Sequence, residues 1–238
     1  MENTVLHKAD SRGMANHGWL HSRHTFSFGG YQNPERMHFG VLRVLNDDRV
    51  AGGQGFGTHP HNNMEIISIP LEGDLVHKDS IGNVTTIHKG DIQVMSAGSG
   101  VSHSEYNRNP ESDVKFLQIW LSPNKKNVTP RYDQISLKEE DRHNKLQQIL
   151  SPFPDDEGVW FHQDAWFHMA KFEEGVSQKY ELKKSGNGVY AFVLNGTINI
   201  NEIQLSERDG LGIWGIESLD LKAESNVELL LMEVPMEI

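Results

Sequence analysis

Short apolar segments of strand length, separated by turn residues, are the feature that most restricts how this chain can fold. Clear examples, separated by stretches that contain Gly, Asn, Asp or Pro, cover residues 38–45, 64–71, 91–96, 114–121, 189–194 and 227–234. Regular spacing of this kind is typical of an all-β sandwich or barrel. One segment differs, because Ser136 and Glu139 form a capping-box pattern. That pattern predicts a helix over about 136–149, followed by a loop over 151–158.

The two halves of the chain repeat one series of landmarks: a strand that ends in Gly, an Asp turn, and a last strand that ends at Pro. These landmarks fall at Gly73, Asp91 and Pro123 in the first half and at Gly196, Asp209 and Pro235 in the second. Self-similarity of this kind predicts two copies of one β-barrel module. We therefore expect a first barrel over residues 1–128, a linker that contains the helix over 129–158, and a second barrel over 159–238.

The composition argues against several classes of protein. The chain of 238 residues has no Cys, which excludes disulfides and thiolate metal sites. Its 22 Lys and Arg against 33 Asp and Glu give a net charge of −11, which argues against direct nucleic-acid binding. No apolar stretch reaches the roughly 20 residues of a membrane span, and residues 1–13 lack the apolar region of a secretory signal. We expect a cytoplasmic protein, and a monomer because each half can bury its own barrel.

The 13 His are unevenly distributed, and one group is a candidate metal site. His59 and His61 lie two residues apart, as do His103 and Glu105. Side chains two apart on a strand point to the same face of the sheet. If the two strands are neighbours, three imidazoles and one carboxylate converge. That donor set suits iron, manganese, copper, nickel or zinc.

Three residues between these pairs need a separate interpretation. Glu65 has the same strand parity as His61 and therefore competes with Glu105 as the carboxylate ligand. His77 and His88 adjoin charged residues in turn-like strings, which favours exposed or pocket-rim positions for both.

Longer strings in the first half are similar to the pirin family of the cupin superfamily. They are RHTFSFGGY (23–31), FGVLRVLNDD (39–48), GQGFGTHPHNNMEIISIPLEGDLVHKDSIGN (53–83) and GDIQVMSAGSGVSHSEYN (90–107). The resemblance implies a bicupin: two antiparallel jelly-roll β-barrels, a short connecting helix and a metal in the N-terminal barrel. It also implies one divalent transition metal, with iron expected first. The implied ligands are His59, His61, His103 and Glu105, and Glu65 would lie beside them or in the pocket wall.

The second half departs from a metal-binding cupin. Aligning Gly196 with Gly73 places Leu182, Lys184 and Gly188 opposite His59, His61 and Glu65. Aligning Asp209 with Asp91 places Leu221 and Ala223 opposite His103 and Glu105. None of these second-half residues can replace an imidazole as a ligand. We therefore expect a second cupin barrel that carries no metal ligands and has a structural role.

Some bacterial pirins resemble quercetin 2,3-dioxygenases, which open the ring of a flavonol with O₂ and release carbon monoxide. This resemblance implies an oxidoreductase whose partners are a small aromatic substrate and O₂. Glu105 then either stays a ligand or accepts the substrate hydroxyl proton as the catalytic base. An apolar pocket is expected to hold the aromatic rings. Its candidate lining residues are Glu65, Phe26, Phe28, Phe39, Phe56 and Met95.

Two other functions stay open from the sequence. Other pirins resemble transcriptional cofactors that bind iron and change their surface with its oxidation state, which would add a protein partner. A cupin that acts on an unrelated metabolite is the third interpretation, because fold alone does not settle function. An accessible pocket would favour catalysis over regulation.

Overall fold

The computed structural model describes residues 3–237, and strands dominate it. The strands of the first half are β1 (Asn3–His7), β2 (Gly13–Asn16), β3 (Leu20–His24), β4 (Leu42–Val50), β5 (Gly55–His61), β6 (Glu65–Glu72), β7 (Leu75–Asp79), β8 (Val84–Ile87), β9 (Asp91–Ser96), β10 (Val101–Asn107), β11 (Val114–Leu121) and β12 (Arg131–Ser136). Those of the second half are β13 (Gln147–Ser151), β14 (Val159–Trp160), β15 (Trp166–Phe172), β16 (Ser177–Glu181), β17 (Asn187–Asn195), β18 (Ile198–Ile200), β19 (Ile203–Leu205), β20 (Gly210–Trp214), β21 (Ser218–Ala223) and β22 (Val227–Pro235). The helical segments are α1 (Glu139–Arg142) and two 3₁₀ turns, Ala9–Ser11 and Pro34–Arg36. Within residues 3–237, no helix has the length and apolar character needed to span a bilayer.

Each half of the chain forms one seven-stranded and one four-stranded sheet. The strand orders are β12-β9-β6-β11-β4-β3-β2 and β5-β10-β7-β8 in the first half, and β1-β20-β17-β22-β15-β13-β14 and β16-β21-β18-β19 in the second. The eight strands β4–β11 therefore recur as β15–β22 with the same neighbours. This arrangement confirms the predicted all-β bicupin with one short helix. The two sheets of each half are separate rather than closed into one barrel, so we call the halves the first and second jelly rolls.

Two strands cross the predicted boundaries between the halves. Strand β1 pairs with β20 of the second jelly roll, and β12, from the predicted linker, pairs with β9 of the first. The His7 ring at the end of β1 hydrogen-bonds the Tyr190 hydroxyl through Nδ1 at 2.8 Å. Lys8 forms an ion pair with Asp209. The division at 1–128, 129–158 and 159–238 stays a prediction. The pairing of β1 with β20 and of β12 with β9 connects the predicted parts.

A shared apolar core joins the large sheets of the two jelly rolls. Phe26, Phe39 and Leu45 come from the first half, and Tyr190 and Phe192 from the second. The rings of Phe26 and Phe39 both contact the Tyr190 ring, each with its centroid 5.5 Å away. Burial of each large side chain contributes about 1.5–3 kcal/mol, so this core holds the halves together.

The helix predicted over 136–149 is wrong in extent, because long-range strand pairing replaces most of it. Ser136, the expected cap, is the last residue of β12, and its hydroxyl donates to Asp91 Oδ1 at 2.6 Å. Ile149 and Leu150 are fully buried in β13, which pairs with β15. The helical part is restricted to the four residues of α1, none of which is buried. Burial of the apolar residues at both ends outweighs the local helix signal.

The second jelly roll has an apolar interior at the positions where the first carries its histidine cluster. In its strand pairs, Tyr180 lies opposite Leu219, as His59 lies opposite His103 in the first jelly roll. Tyr180 donates a 2.7 Å hydrogen bond to Glu233, which also accepts from the Asn187 amide. The sequence alignment placed Leu182 opposite His59, two residues from the Tyr180 that the strand pairing puts there. Both alignments put residues without an imidazole at the positions of His59 and His103.

His168 gives the second jelly roll a pH-dependent stability. Burial lowers the pKa of His168 to about 3, and the charge of Lys183 adds to the effect. Between pH 6.5 and 3 the unfolded chain binds a proton at this residue that the folded chain does not. The free energy of unfolding therefore falls as the pH is lowered, by up to about 1.4 kcal/mol per pH unit from one such group.

We expect the His168→Leu variant to lose stability less steeply than the wild type between pH 6.5 and 4. Urea unfolding at several pH values measures the slope. His143→Leu is the matched control, because the His143 side chain is 56% exposed. Equal slopes for the wild type and His168→Leu would contradict the assignment.

Candidate metal centre

Three neighbouring strands of the small sheet in the first jelly roll position the histidine cluster. β5 and β10 pair antiparallel, which places His59 opposite His103. β10 also pairs with β7, which places Glu105 opposite His77. Because side chains alternate along a strand, His59 and His61 share a face with His103 and Glu105. The predicted HxH and HxE pairs thus lie on neighbouring strands.

His59, His61 and His103 form a compact triangle. Their ring centroids are 4.8 Å apart for His59 and His61, 4.5 Å for His59 and His103, and 4.9 Å for His61 and His103. One nitrogen from each ring lies within 4.8 Å of the other two. This spacing allows three nitrogens to contact one ion.

The electrostatics of the triangle favour neutral rings. Burial and the charge of His59 lower the pKa of His61 to about 4. Burial and the surrounding imidazoles, with His59 first, lower the pKa of His103 to about 2. Neutral imidazole is the form that binds a metal, so these two rings are ready to act as ligands at neutral pH.

The hydrogen bonds of the triangle leave nitrogen lone pairs available. His59 donates from Nδ1 to the Gly57 carbonyl at 2.7 Å, which leaves its Nε2 as the acceptor. His61 Nε2 and His103 Nδ1 are buried and have no hydrogen-bond partner. Buried polar atoms without a partner are rare in folded proteins, and a backbone bond to the second nitrogen is typical of a ligating His. The residues therefore fit a bound metal.

Glu105 lies in the same interior and is held in place by two hydrogen bonds. It is 2% exposed. Ser68 Oγ donates to its Oε1 at 2.7 Å, and Gln118 Nε2 donates to its Oε2 at 2.8 Å. Glu105 forms a second cluster of potential ligands with His77 and His103, so His103 is common to both clusters.

The expected exposed or pocket-rim position of His77 is wrong, because its side chain is fully buried and lies outside the cavity lining. His77 Nε2 contacts Asp79 Oδ2 at 3.1 Å, and its ring packs against Tyr132 at 4.7 Å. His88, by contrast, is 53% exposed and pairs with Asp74. His77 and Asp79 lie two residues apart and therefore share one face of β7. This spacing was the available sequence signal, but only the pairing of β7 with β10 shows that the shared face is the buried one.

A cavity of about 300 Å³ opens beside the cluster. Its lining residues are Ala15, His17, Leu20, Ser22, His24, Phe28, Gly29, Gly30, Asn46, Asp48, Phe56, His59, His103, Glu105, Gln118 and Trp120. A volume near 300 Å³ is at the lower end of the range for small-molecule sites. Three candidate ligands therefore face a space that a small molecule can enter.

The predicted pocket residues divide into two groups. Phe28 and Phe56 line the cavity, whereas Phe26 and Phe39 belong to the core between the two jelly rolls. Met95 packs in a separate small apolar cluster, away from the cavity lining. Apolar residues of this type serve equally in a core or a pocket, so sequence pattern alone does not separate them.

Glu65 lies outside the cavity lining, in the neighbouring interior. It is 1% exposed, and Ser96 donates to its Oε2 at 2.6 Å. Burial raises the pKa of Glu65 to about 7, against the opposing effect of the Ser96 hydrogen bond. The structure thus distinguishes Glu65 from Glu105, the carboxylate that shares a cluster with His103.

Four polar residues of the cavity wall were missed from the sequence: Ser22, Asn46, Asp48 and Gln118. Ser22 and His24 on β3, and Asn46 and Asp48 on β4, line the cavity together with Gln118. Burial raises the pKa of Asp48 to about 7, with smaller contributions from Asp47 and Glu105, and a Ser22 hydrogen bond opposes the rise. The available signal was an uninterrupted polar run on each strand, over residues 21–24 and 46–49.

Two tandem jelly rolls, the first of which contains clustered residues able to bind a metal, define a bicupin with one candidate metal centre. Among residues 3–237, such clusters occur only in the first jelly roll. The Pirin family model matches residues 6–121, and the model described as the quercetinase C-terminal cupin domain matches residues 148–234. The chain belongs to the pirin family.

Individual relatives are similar over nearly the whole chain. A protein of Escherichia coli (strain K12) named quercetin 2,3-dioxygenase is 42% identical over 233 residues, which cover 97% of this chain and 98% of that protein. A pirin-like protein of Caulobacter vibrioides is 38% identical, with 94% and 96% of the two chains covered. The crystal structure of the bacterial pirin YhhW from Escherichia coli in complex with nickel(II) superposes with a TM-score of 0.93 at 39% identity. That match covers 99% of this chain and 100% of the YhhW chain.

Proposed function

We propose that this protein is a metal-dependent dioxygenase that opens the ring of a flavonol such as quercetin with O₂ and releases carbon monoxide. The observation that carries the proposal is the cavity of about 300 Å³ whose wall contains His59, His103 and Glu105. Candidate metal ligands and a space for a small aromatic molecule thus occur together. The name of the Escherichia coli relative supports the same reaction class.

We further propose that His59, His61, His103 and Glu105 hold one divalent transition metal. Iron is the first choice, with manganese, copper, nickel and zinc as alternatives; the solved YhhW complex contains nickel(II). When bound, the metal would supply a Lewis acid that lowers the pKa of the substrate hydroxyl and a template for substrate and O₂.

The residues of the chain contribute positioning and proton transfer. The Glu105 carboxylate is the proton acceptor for the 3-hydroxyl of the flavonol, with Ser68 and Gln118 fixing its orientation. Phe28, Phe56 and Trp120 provide apolar contact for the aromatic rings and exclude water from the site.

Substitution of His77 distinguishes between two possible ligand sets, one with His59, His61 and His103 and the other with His77, His103 and Glu105. Its Nε2 already contacts Asp79, so we expect the His77→Gln variant to keep one metal ion per chain after reconstitution. The His59→Ala variant should bind less than this stoichiometry. Inductively coupled plasma mass spectrometry of the desalted proteins measures both. Metal loss in His77→Gln with retention in His59→Ala would assign the ion to His77, His103 and Glu105 instead.

Oxygen uptake with carbon monoxide detection tests the proposed function. Metal-reconstituted protein given quercetin is expected to consume O₂ and release carbon monoxide, while metal-free protein does neither. Absence of uptake by protein shown to contain its metal would contradict the proposal.

The regulatory alternative predicts a partner protein that binds in one oxidation state of the metal only. A cavity bordered by the candidate ligands favours the enzyme, and this observation places regulation second. The cytoplasmic location and the monomeric state stay predictions.

A further inference from the structure

Polar side chains form continuous rows across the large sheet of the first jelly roll, on the face that borders the cavity. One row runs through His24, Asn46, Gln118 and Ser68, each directly opposite the next on the neighbouring strand. In the adjacent row, Ser22 lies opposite Asp48. Gln118 and Ser68 are engaged with Glu105. At the other end of the rows, on β3 and β4, several side-chain atoms have no hydrogen-bond partner.

Three buried polar atoms at that end have no hydrogen-bond partner. They are Asp48 Oδ1, Asn46 Oδ1 and His24 Nδ1. The three residues are 4%, 2% and 3% exposed, and all three line the cavity. A buried acceptor without a donor is costly. The two oxygens are therefore free to accept hydrogen bonds from a molecule inside the cavity.

The second jelly roll shows that the fold does not require these polar groups. The strand pairs place His168 at the position of Asn46 and Ala170 at that of Asp48. Leu231 and Ala191 occupy the positions of Gln118 and Ser68. The same eight strands therefore form when three of these four positions are apolar and only the fourth, His168, is polar. Asp48 in particular has an alanine as its structural equivalent.

We propose that Asp48 and Asn46 form a subsite that accepts hydrogen bonds from hydroxyl groups on the aromatic substrate, on the side away from the metal. The site then selects polyhydroxylated aromatic molecules over analogues that carry only the metal-binding hydroxyl and ketone. This inference rests on the proposed function for the identity of the substrate as an aromatic molecule. Discrimination follows because an analogue without the hydroxyls leaves both oxygens buried and unpaired.

The test compares quercetin with 3-hydroxyflavone, which lacks the additional hydroxyls. The measured quantity is the ratio of the two kcat/KM values in metal-reconstituted protein at pH 8, where Asp48, with its pKa raised to about 7 by burial, is mostly ionised. We expect the ratio to fall roughly 10- to 100-fold in Asp48→Ala, because the hydrogen bond lost involves a carboxylate. Asn46→Ala should lower the ratio in the same direction. Asp220→Ala, an exposed change in the second jelly roll, is the control and should leave the ratio unaltered.

Two further readouts separate the outcomes. Isothermal titration calorimetry on the same proteins gives the ratio of dissociation constants for the two flavonols, so the subsite is tested even if no turnover occurs. Thermal unfolding of Asp48→Ala should occur at the wild-type temperature or above it, because a buried carboxylate with one unpartnered oxygen is removed. An unaltered ratio in folded Asp48→Ala and Asn46→Ala, by turnover and by calorimetry, would overturn the subsite. A calorimetric ratio that falls in Asp48→Ala, in protein that contains its metal but shows no turnover, would retain the subsite and reject the dioxygenase.

Discussion

Replacement of His61 with alanine is expected to lower metal affinity more than about 100-fold and to abolish dioxygenase turnover. Loss of residues that merely orient ligands costs about 10- to 100-fold in affinity, so loss of a ligand itself should exceed this. His61 Nε2 is buried and unpaired inside the triangle, and no other imidazole occupies its corner. Metal titration with a competing chelator measures the affinity, and oxygen uptake with quercetin measures the turnover.

The His88→Ala variant is the matched control for this prediction. His88 lies on the same jelly roll, but its side chain is 53% exposed and pairs only with Asp74. It should bind metal and turn over substrate as the wild type does. Near-normal turnover by His61→Ala, with its metal retained, would remove His61 from the site.

Replacement of Glu105 with glutamine is expected to reduce turnover by about 10²- to 10⁴-fold, the usual contribution of a general base. The substitution keeps the shape of the side chain but removes the charge that accepts the substrate proton. It also turns a donor toward Ser68 or Gln118, both of which donate to Glu105. Oxygen uptake at saturating metal separates this loss of chemistry from weakened metal binding.

Glu65→Gln is the control that distinguishes the two candidate carboxylates. Glu65 is equally buried, but it pairs with Ser96 and lies outside the cavity lining. Turnover close to the wild type is expected for this variant. Loss of turnover in Glu65→Gln with retention in Glu105→Gln would transfer the catalytic role to Glu65.

Local pattern was sufficient where the chemistry depends on strand parity. His59 and His61 share a face because they are two residues apart, and the same holds for His103 and Glu105. The convergence of the two pairs depends on the register of β5 against β10, which sequence separation does not determine. The resemblance to the pirin family supplied the ligand set in advance, and the family and bicupin fold are confirmed.

Local pattern failed where a distant part of the chain decides the outcome. The segment 136–149 has a helix signal, but its ends pair with β9 and β15 from the two jelly rolls. The local sequence indicates that His77 is a turn residue, but the pairing of β7 with β10 buries it. Phe26 and Phe39 were predicted to line the pocket, but they are buried where the two halves pack together. That contact between the halves leaves no periodic hydrophobic pattern in the sequence of either half, so it was not predicted.

The position of the metal in a crystal is the most direct test of this account. Diffraction data collected at the absorption edge of the reconstituted metal locate the ion by its anomalous signal. The account predicts one strong peak per chain in the first jelly roll, about 2.0–2.2 Å from one nitrogen each of His59, His61 and His103 and bonded to the Glu105 carboxylate. A peak on His77 in place of His59 and His61, or a peak in the second jelly roll, would contradict it.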